Sequence, residues 1–208
     1  MRNLRRKLLS QNFFHNRRLV SSLVGSAFIG KNDLILEIGP GDGIITRELL
    51  LVAGHVVAVE LDGYWYNRLL NEFKNEERLT LYRGDFLSHA LPKLPYKVFS
   101  NIPFAIEGKI IRRLIEAPNP PQDCFLVTMD KLANRLTARQ SENMFSTMHK
   151  PWFDFSILHH FKPSDFSPTP SVGSVLFRFA LKSRPLIPVS KRAQYQLFVR
   201  QAFEWTIN

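Results

Sequence analysis

The chain is predicted to fold as a doubly wound α/β domain, a mainly parallel sheet with helices on both faces. Short apolar runs of four or five residues alternate with segments of helical period, and one run breaks directly into a glycine-rich turn. The composition, 45% apolar and 22% charged, is that of a packed globular chain and not of a disordered one.

The candidate strands are Leu34–Glu37, Val56–Glu60, Leu79–Tyr82, Lys97–Ser100 and Cys124–Thr128, each rich in Val, Leu, Ile or Phe. Runs without apolar/polar alternation suit strands buried on both faces. One helical stripe is Leu19, Val20, Leu23, Val24, Ala27 and Phe28; another is Ile106, Ile110, Ile111, Leu114 and Ile115. Strand–helix alternation of this kind implies parallel strands joined by right-handed crossovers.

Beyond about Asp130 the alternation weakens. A helical segment, Lys131 to Ala138, precedes an aromatic and proline-rich stretch from Pro151 to Pro170. A last strand, Ser174 to Leu181, is followed by a linker at Ser183–Pro188 and a helix from about Lys191 to Trp205. That helix carries an apolar stripe of Tyr195, Phe198, Val199, Ala202 and Phe203. The chain therefore divides into a main domain, residues 1–182 with a basic N-terminal arm, and a linker with helix, residues 183–208.

Net charge is +10, and it is unevenly spread. The first 32 residues carry seven basic side chains (Arg2, Arg5, Arg6, Lys7, Arg17, Arg18, Lys31) and no acid. The last 48 carry seven more against Asp165 and Glu204. Two basic ends around a mixed centre point to a polyanionic partner, nucleic acid before an acidic membrane. The single cysteine, Cys124, lies in an apolar run as an inert packed thiol, so no intramolecular disulfide forms. The adjacent His159 and His160 lack metal-ligand spacing, and no metal is expected. No apolar stretch has the length of a signal peptide or membrane span, which places the protein in the cytoplasm, away from membranes.

The run Leu34-Ile35-Leu36-Glu37-Ile38-Gly39-Pro40-Gly41-Asp42-Gly43 reads as a buried strand, a glycine turn and a helix start. Glycines at the carboxyl end of a first strand let backbone approach a ligand closely. A dinucleotide fingerprint needs a further glycine at position 44, where this chain has Ile44. The frame around Glu37, Gly39, Gly41 and Gly43 suits a cofactor without pyrophosphate. Glu60, seventeen residues past Gly43, ends the second strand, where a carboxylate can accept from both ribose hydroxyls. Leu61 beside it can pack on an adenine face. Asp85, after the third strand, can accept from an adenine amino group, with Phe86 counted to the same site.

Asn101-Ile102-Pro103-Phe104 follows the fourth strand. An exocyclic adenine nitrogen is a poor nucleophile because its lone pair is delocalised into the ring. Two acceptors aimed at its N–H bonds draw it towards tetrahedral geometry and localise that pair. The Asn101 side-chain oxygen and the backbone carbonyl of Ile102 or Pro103 are such acceptors, and they also stabilise positive charge developing on nitrogen. Proline holds the turn, and Phe104 offers a face for a flipped base.

Taken with Ser10-Gln11-Asn12-Phe13 and Phe166-Ser167-Pro168-Thr169-Pro170-Ser171-Val172, these motifs resemble the rRNA adenine N6-methyltransferases, the KsgA/Erm superfamily, from about residue 9 to 200. Asn-Ile-Pro-Phe and the Leu-Ser-Gln-Asn-Phe opening look more like the Erm enzymes than KsgA. The resemblance implies the Rossmann-like fold of class I S-adenosylmethionine-dependent methyltransferases and S-adenosyl-L-methionine as cofactor. It puts Gln11 and Asn12 near the methionine end of that cofactor, with Asn101 bordering it, and makes Phe166 a second aromatic face opposite Phe104. RNA contacts are expected at the basic side chains Arg5, Arg6, Lys7, Arg17, Arg112 and Arg135. Thr169 departs from the lysine that many Erm sequences carry between the two prolines of the late motif. Residues 183–208 read as the remnant of a C-terminal RNA-binding lobe. The implied activity is N6-methylation of one adenine of 23S rRNA by a monomeric enzyme, giving macrolide, lincosamide and streptogramin B resistance. Alternatives are KsgA-like methylation of small-subunit rRNA, a non-catalytic nucleic-acid-binding relative, and a nicotinamide dehydrogenase, the last disfavoured by Ile44 and the lack of a hydride-transfer dyad.

Overall fold

The computed structural model describes residues 12–138 and 141–205, apart from the side chain of Trp205. Its strands are β1 (Phe13–Phe14), β2 (Leu34–Ile38), β3 (His55–Glu60), β4 (Leu79–Arg83), β5 (Lys97–Asn101), β6 (Asp123–Met129), β7 (Phe153–His160), β8 (Phe166–Ser167) and β9 (Ser174–Leu181). The α-helices are α1 (Arg17–Gly25), α2 (Ile44–Val52), α3 (Gly63–Glu72), α4 (Glu107–Ile115), α5 (Asp130–Thr137), α6 (Met144–His149) and α7 (Arg192–Trp205).

Seven strands form one sheet in the order β4-β3-β2-β5-β6-β9-β7. The first five are mutually parallel, and β9 runs antiparallel to both β6 and β7. The order reverses on either side of β2, the topological switch outside which such sheets bind ligands. Both faces are covered, as the unalternating runs predict. In β2, Leu36 and Ile38 pack into one core with Ile110, Ile111 and Leu114 of α4, while Ile35 packs into another with Val20, Val24 and Leu49. The five strands read from sequence each grow by a residue at one or both ends, and Ser174–Leu181 stands as read.

Three expectations from the sequence need correction. The Pro151–Pro170 stretch contains an eight-residue strand, β7, whose Phe153, Phe155 and Ile157 pack against the core while its backbone pairs with β9. The first helical stripe stops at Gly25: Phe28 is 85% exposed with φ +51°, because the chain turns after Ser26 and the Phe28 carbonyl accepts from the Lys97 ammonium instead. On α7, Val199 is buried and Tyr195 packs edge-on against Trp152, but Phe198 is 65% exposed and Ala202 is also exposed. The packed face of α7 is thus narrower than its apolar stripe. Cys124 is fully buried, and burial pushes its thiol well above the ordinary range, as an inert packed cysteine requires.

Candidate active site

At the carboxyl ends of β2, β3 and β5 lies a cavity of about 220 Å³. Its wall includes Gly39, Pro40 and Asp42 of the glycine turn, Glu60 and Leu61 at the end of β3, Gly84 to Phe86 after β4, and Asn101 to Ile106 from the end of β5 onward. Asn12, Phe13 and Phe14 close the remaining side.

Glycines 41 and 43 shape the turn without facing the cavity. Both have positive φ, +56° and +82°. A Cβ on Gly41 would lie 2.4 Å from the Phe13 ring, and one on Gly43 would lie 2.6 Å from Leu69. Gly39, by contrast, lines the cavity, and a Cβ there would meet no protein atom within 4 Å. Close approach of a ligand to this backbone is therefore sterically open.

The acids divide in an unforeseen way. Glu60 is buried to 2% exposure but borders the cavity, with Oε2 accepting from Gly41 N–H (2.9 Å) and Oε1 from Asp62 N–H (2.7 Å). Burial pushes its carboxyl above the ordinary range, and the backbone donors pull the other way. Each oxygen keeps a lone pair for a ligand hydroxyl. Glu37, expected at the cofactor, is not on the wall. It lies behind the turn, where Oε2 accepts from Thr46 Oγ1 (2.7 Å), Oε1 is buried without a partner, and burial pushes the carboxyl up to about 8. Asp85 is exposed at the cavity edge, with Oδ1 accepting from Leu87 N–H (2.8 Å). Leu61, 56% exposed, offers an apolar face, and Phe86 on the same wall is buried, with the Arg113 guanidinium over its ring. An exposed leucine, two strand-end carboxylates and an unobstructed glycine backbone fit an adenosine moiety.

Asn101, Ile102, Pro103 and Phe104 all line the cavity. Asn101 Nδ2 donates to the Asn12 carbonyl at 2.6 Å across 89 residues of sequence. A carbonyl can only accept, so the amide nitrogen is assigned to this bond and Oδ1 is left as an acceptor. Asn12, expected near the cofactor, has this second use through its carbonyl. Phe104 opens a single 3₁₀ turn that leads into α4, and its ring is 8% exposed at the wall. Phe166 is not on the wall. It is 3% exposed, stacked on Phe14 (centroids 4.6 Å apart, planes at 29°) and edge-on to Phe161. Among the wall residues that the sequence did not single out are Phe13, Phe14, Pro40, Asp42, Gly84, Ala105 and Ile106; for the first two, a pair of β-favouring aromatics after Asn12 was the available signal.

Gln11, Arg5, Arg6 and Lys7 lie outside the described residues. Arg17 remains largely exposed while its Nε donates to buried Glu48 (2.5 Å), tying α1 to α2. Arg112 and Arg135 come together with Lys109 and Phe145 around a second cavity bounded by α4, α5 and α6. No helix among the described residues is long and apolar enough to cross a membrane.

A parallel sheet reversing at β2, with the glycine turn and acids at its strand ends, is the fold of the class I S-adenosylmethionine-dependent methyltransferases. Within that class the chain belongs to the ribosomal RNA adenine dimethylase family, whose profile matches residues 2–206. An rRNA adenine N-6-methyltransferase of Bacillus licheniformis is 32% identical over 173 residues, covering 83% of this chain and 60% of the relative. The chain thus spans 60% of that relative's length. A ribosomal RNA small subunit methyltransferase A of Geobacter sulfurreducens is 30% identical over 208 residues, covering 95% of this chain and 75% of the relative. The crystal structure of the 23S rRNA methyltransferase ErmE matches with a TM-score of 0.85 at 25% identity, covering 93% of this chain and 79% of that one.

Proposed function

We propose that this protein methylates the N6 nitrogen of an adenine in ribosomal RNA with S-adenosyl-L-methionine, and that its target is a single adenine of 23S rRNA. The observation that carries the reading is Asn101, which lines the cavity and is tethered through its amide nitrogen to the Asn12 carbonyl, leaving Oδ1 to accept from a ligand. When bound, S-adenosyl-L-methionine supplies an electrophilic methyl group on a sulfonium. Glu60 accepts from the ribose hydroxyls, Leu61 packs on the cofactor's adenine, and Asp85 accepts from that ring's amino group. Asn101 Oδ1 and the carbonyl of Ile102 or Pro103 accept from the two N–H bonds of the target amine, which localises its lone pair for attack. Phe104 stacks on the flipped base and holds the amine in line. The nitrogen forms its bond to the methyl carbon as the carbon–sulfur bond breaks, then loses its proton to water.

The preference for 23S rRNA draws support from Asn-Ile-Pro-Phe and from the likeness to ErmE. Resistance to macrolides, lincosamides and streptogramin B follows, because the added methyl removes an amino donor and crowds the drug site. The small-subunit relative that spans 95% of the chain favours a second reading, methylation of 16S rRNA. The Lys109, Arg112 and Arg135 cluster takes phosphates flanking the target, and the helix after the linker adds to RNA binding beside a 1–182 catalytic domain. The protein acts as a monomer in the cytoplasm. Incubation with labelled cofactor and each rRNA in turn, followed by primer extension, tests the proposal. One blocked or stalled adenine in 23S rRNA is the expected result; label in 16S rRNA alone selects the second reading, and no label in either overturns both.

A further inference from the structure

We propose that the cavity bounded by α4, α5 and α6 is a second nucleobase pocket. It takes the base of the nucleotide next to the target adenosine, while Lys109, Arg112 and Arg135 hold that nucleotide's phosphate. The proposal rests on the RNA-methyltransferase reading for the identity of the ligand; the shape and charge of the cavity stand apart from it.

The cavity has a volume of about 320 Å³ and joins two kinds of surface. Lys109, Arg112 and Arg135 are exposed around it, and none of these three side chains has an ion-pair or hydrogen-bond partner among the described residues. Leu132, Leu136 and the half-buried Phe145 supply an apolar side, and the Phe145 ring packs on the buried His149 imidazole with centroids 4.5 Å apart. Cations beside an aromatic and apolar surface complement a nucleotide, whose base stacks and whose phosphate is anionic. A site for phosphate alone would have no use for the apolar side. Gly108 is an independent sign. It is the second residue of α4, and glycine weakens a helix relative to alanine. Its φ is not positive, and beyond the helix's own backbone a Cβ there would meet no protein atom within 4 Å. Neither backbone conformation nor packing therefore requires a glycine at this position. What the missing side chain leaves is open space on the cavity wall, where a flat base can lie against the helix. The placement suits a neighbour of the target. Ile106 lines the first cavity and Gly108 the second, and two residues of chain span about 7 Å at most.

The test uses the full chain and a hairpin RNA carrying the adenine that primer extension identifies, with the nucleotide on either side of it made abasic in turn. Affinity is read by titration. One of the two abasic RNAs should bind about 5- to 150-fold more weakly than the intact hairpin, the range of losing one stacked base. Wild-type affinity for both overturns the proposal. Gly108→Leu puts a side chain into the cavity and a better helix former into α4, so it should melt no lower than wild type while binding the intact hairpin more weakly by a similar factor. Its slope of log affinity against log salt should stay as in wild type, because the phosphate contact remains, whereas Arg112→Gln should flatten that slope by about 0.7–0.9. On the abasic RNA Gly108→Leu should lose nothing further, since base and leucine compete for one space. Fully additive losses place the base elsewhere and overturn the proposal. If Gly108→Leu does not fold, Phe145→Ala takes its place in the same cycle, with the same expected outcome. A wild-type protein that methylates no RNA fails the methyltransferase reading, and the Gly108 backbone amide then decides the pocket alone, followed by NMR with adenosine 5′-monophosphate and with ribose 5-phosphate. Movement with the nucleotide only supports the pocket; equal movement with both, or none with either, overturns it.

Discussion

The cofactor-side wall of the cavity, residues 39–42, 60–61 and 84–86, is assembled from the ends of three adjacent parallel strands; the tetrad wall, 101–106, is completed by residues 12–14 from the far end of the chain. On the first wall, Glu60 is fixed by donors nearby in space, the amides of Gly41 and Asp62, and the sheet register puts them in reach. On the second, the orientation of Asn101 rests on one bond to a segment secured by aromatic packing. In the proposed function, binding thus rests on contacts that the sheet register supplies, and the reacting geometry on a long-range hydrogen bond. Substitutions on the two walls should separate affinity from rate.

The largest effect should come from Asn101→Ala, whose acceptor strengthens as the amine becomes positive. Single-turnover methylation should fall by about 10²–10³-fold, the scale of losing one preorganised electrostatic partner, while calorimetric affinity for the cofactor stays constant. A wild-type rate would reduce the tetrad to a turn. Glu60→Gln should do the reverse. It places an amide against the Gly41 or Asp62 N–H and removes a ribose acceptor, so cofactor binding should weaken by about 1–3 kcal/mol with the chemical step little changed. Calorimetry showing undiminished affinity would take the ribose away from this carboxylate.

Phe104→Ala should weaken capture of the flipped base by about 1–3 kcal/mol of stacking, read as a raised dissociation constant for RNA, and Phe104→Tyr should be tolerated because the face is kept. Charge removal at Arg112 or Arg135 should flatten the slope of log affinity against log salt by about 0.7–0.9 for each phosphate that the arginine neutralises, measured by RNA titration at several salt concentrations. An unchanged slope would mean that the arginine neutralises no phosphate.

Glu37 gives the subtlest prediction. Burial raises its carboxyl in the folded protein to about 8 from 4.5, so the folded state holds a proton that the unfolded chain has already released. Stability should therefore fall as pH rises from about 4.5 towards 8, and Glu107, pushed up to about 7 by burial, adds to the fall with the same sign. Melting temperatures of Glu37→Gln between mildly acidic and mildly alkaline pH should decline less steeply than those of wild type. Equal slopes would mean that Glu37 is not the protonated group beneath the turn.

Local pattern and local chemistry determined much of this protein. The five parallel strands, the glycine turn and the strand-end positions of Glu60, Asp85 and Asn101 were legible because a buried strand needs an apolar run and a reversing sheet gathers its carboxyl ends at one place. The side-chain surroundings of Glu37 and Phe166 were not. Sequence spacing says that a residue lies near a site, but whether its side chain faces the cavity or the core depends on what packs behind it. For Glu37 that neighbour is Thr46, and for Phe166 it is Phe14, more than 150 positions away. For β7 the alternation of Phe153, Phe155 and Ile157 was a local strand signal, but its antiparallel pairing with β9 is decided only in the folded chain. The tether from Asn12 to Asn101 belongs with these: both residues could be read as functional, but only the folded chain brings the carbonyl of one to the amide of the other.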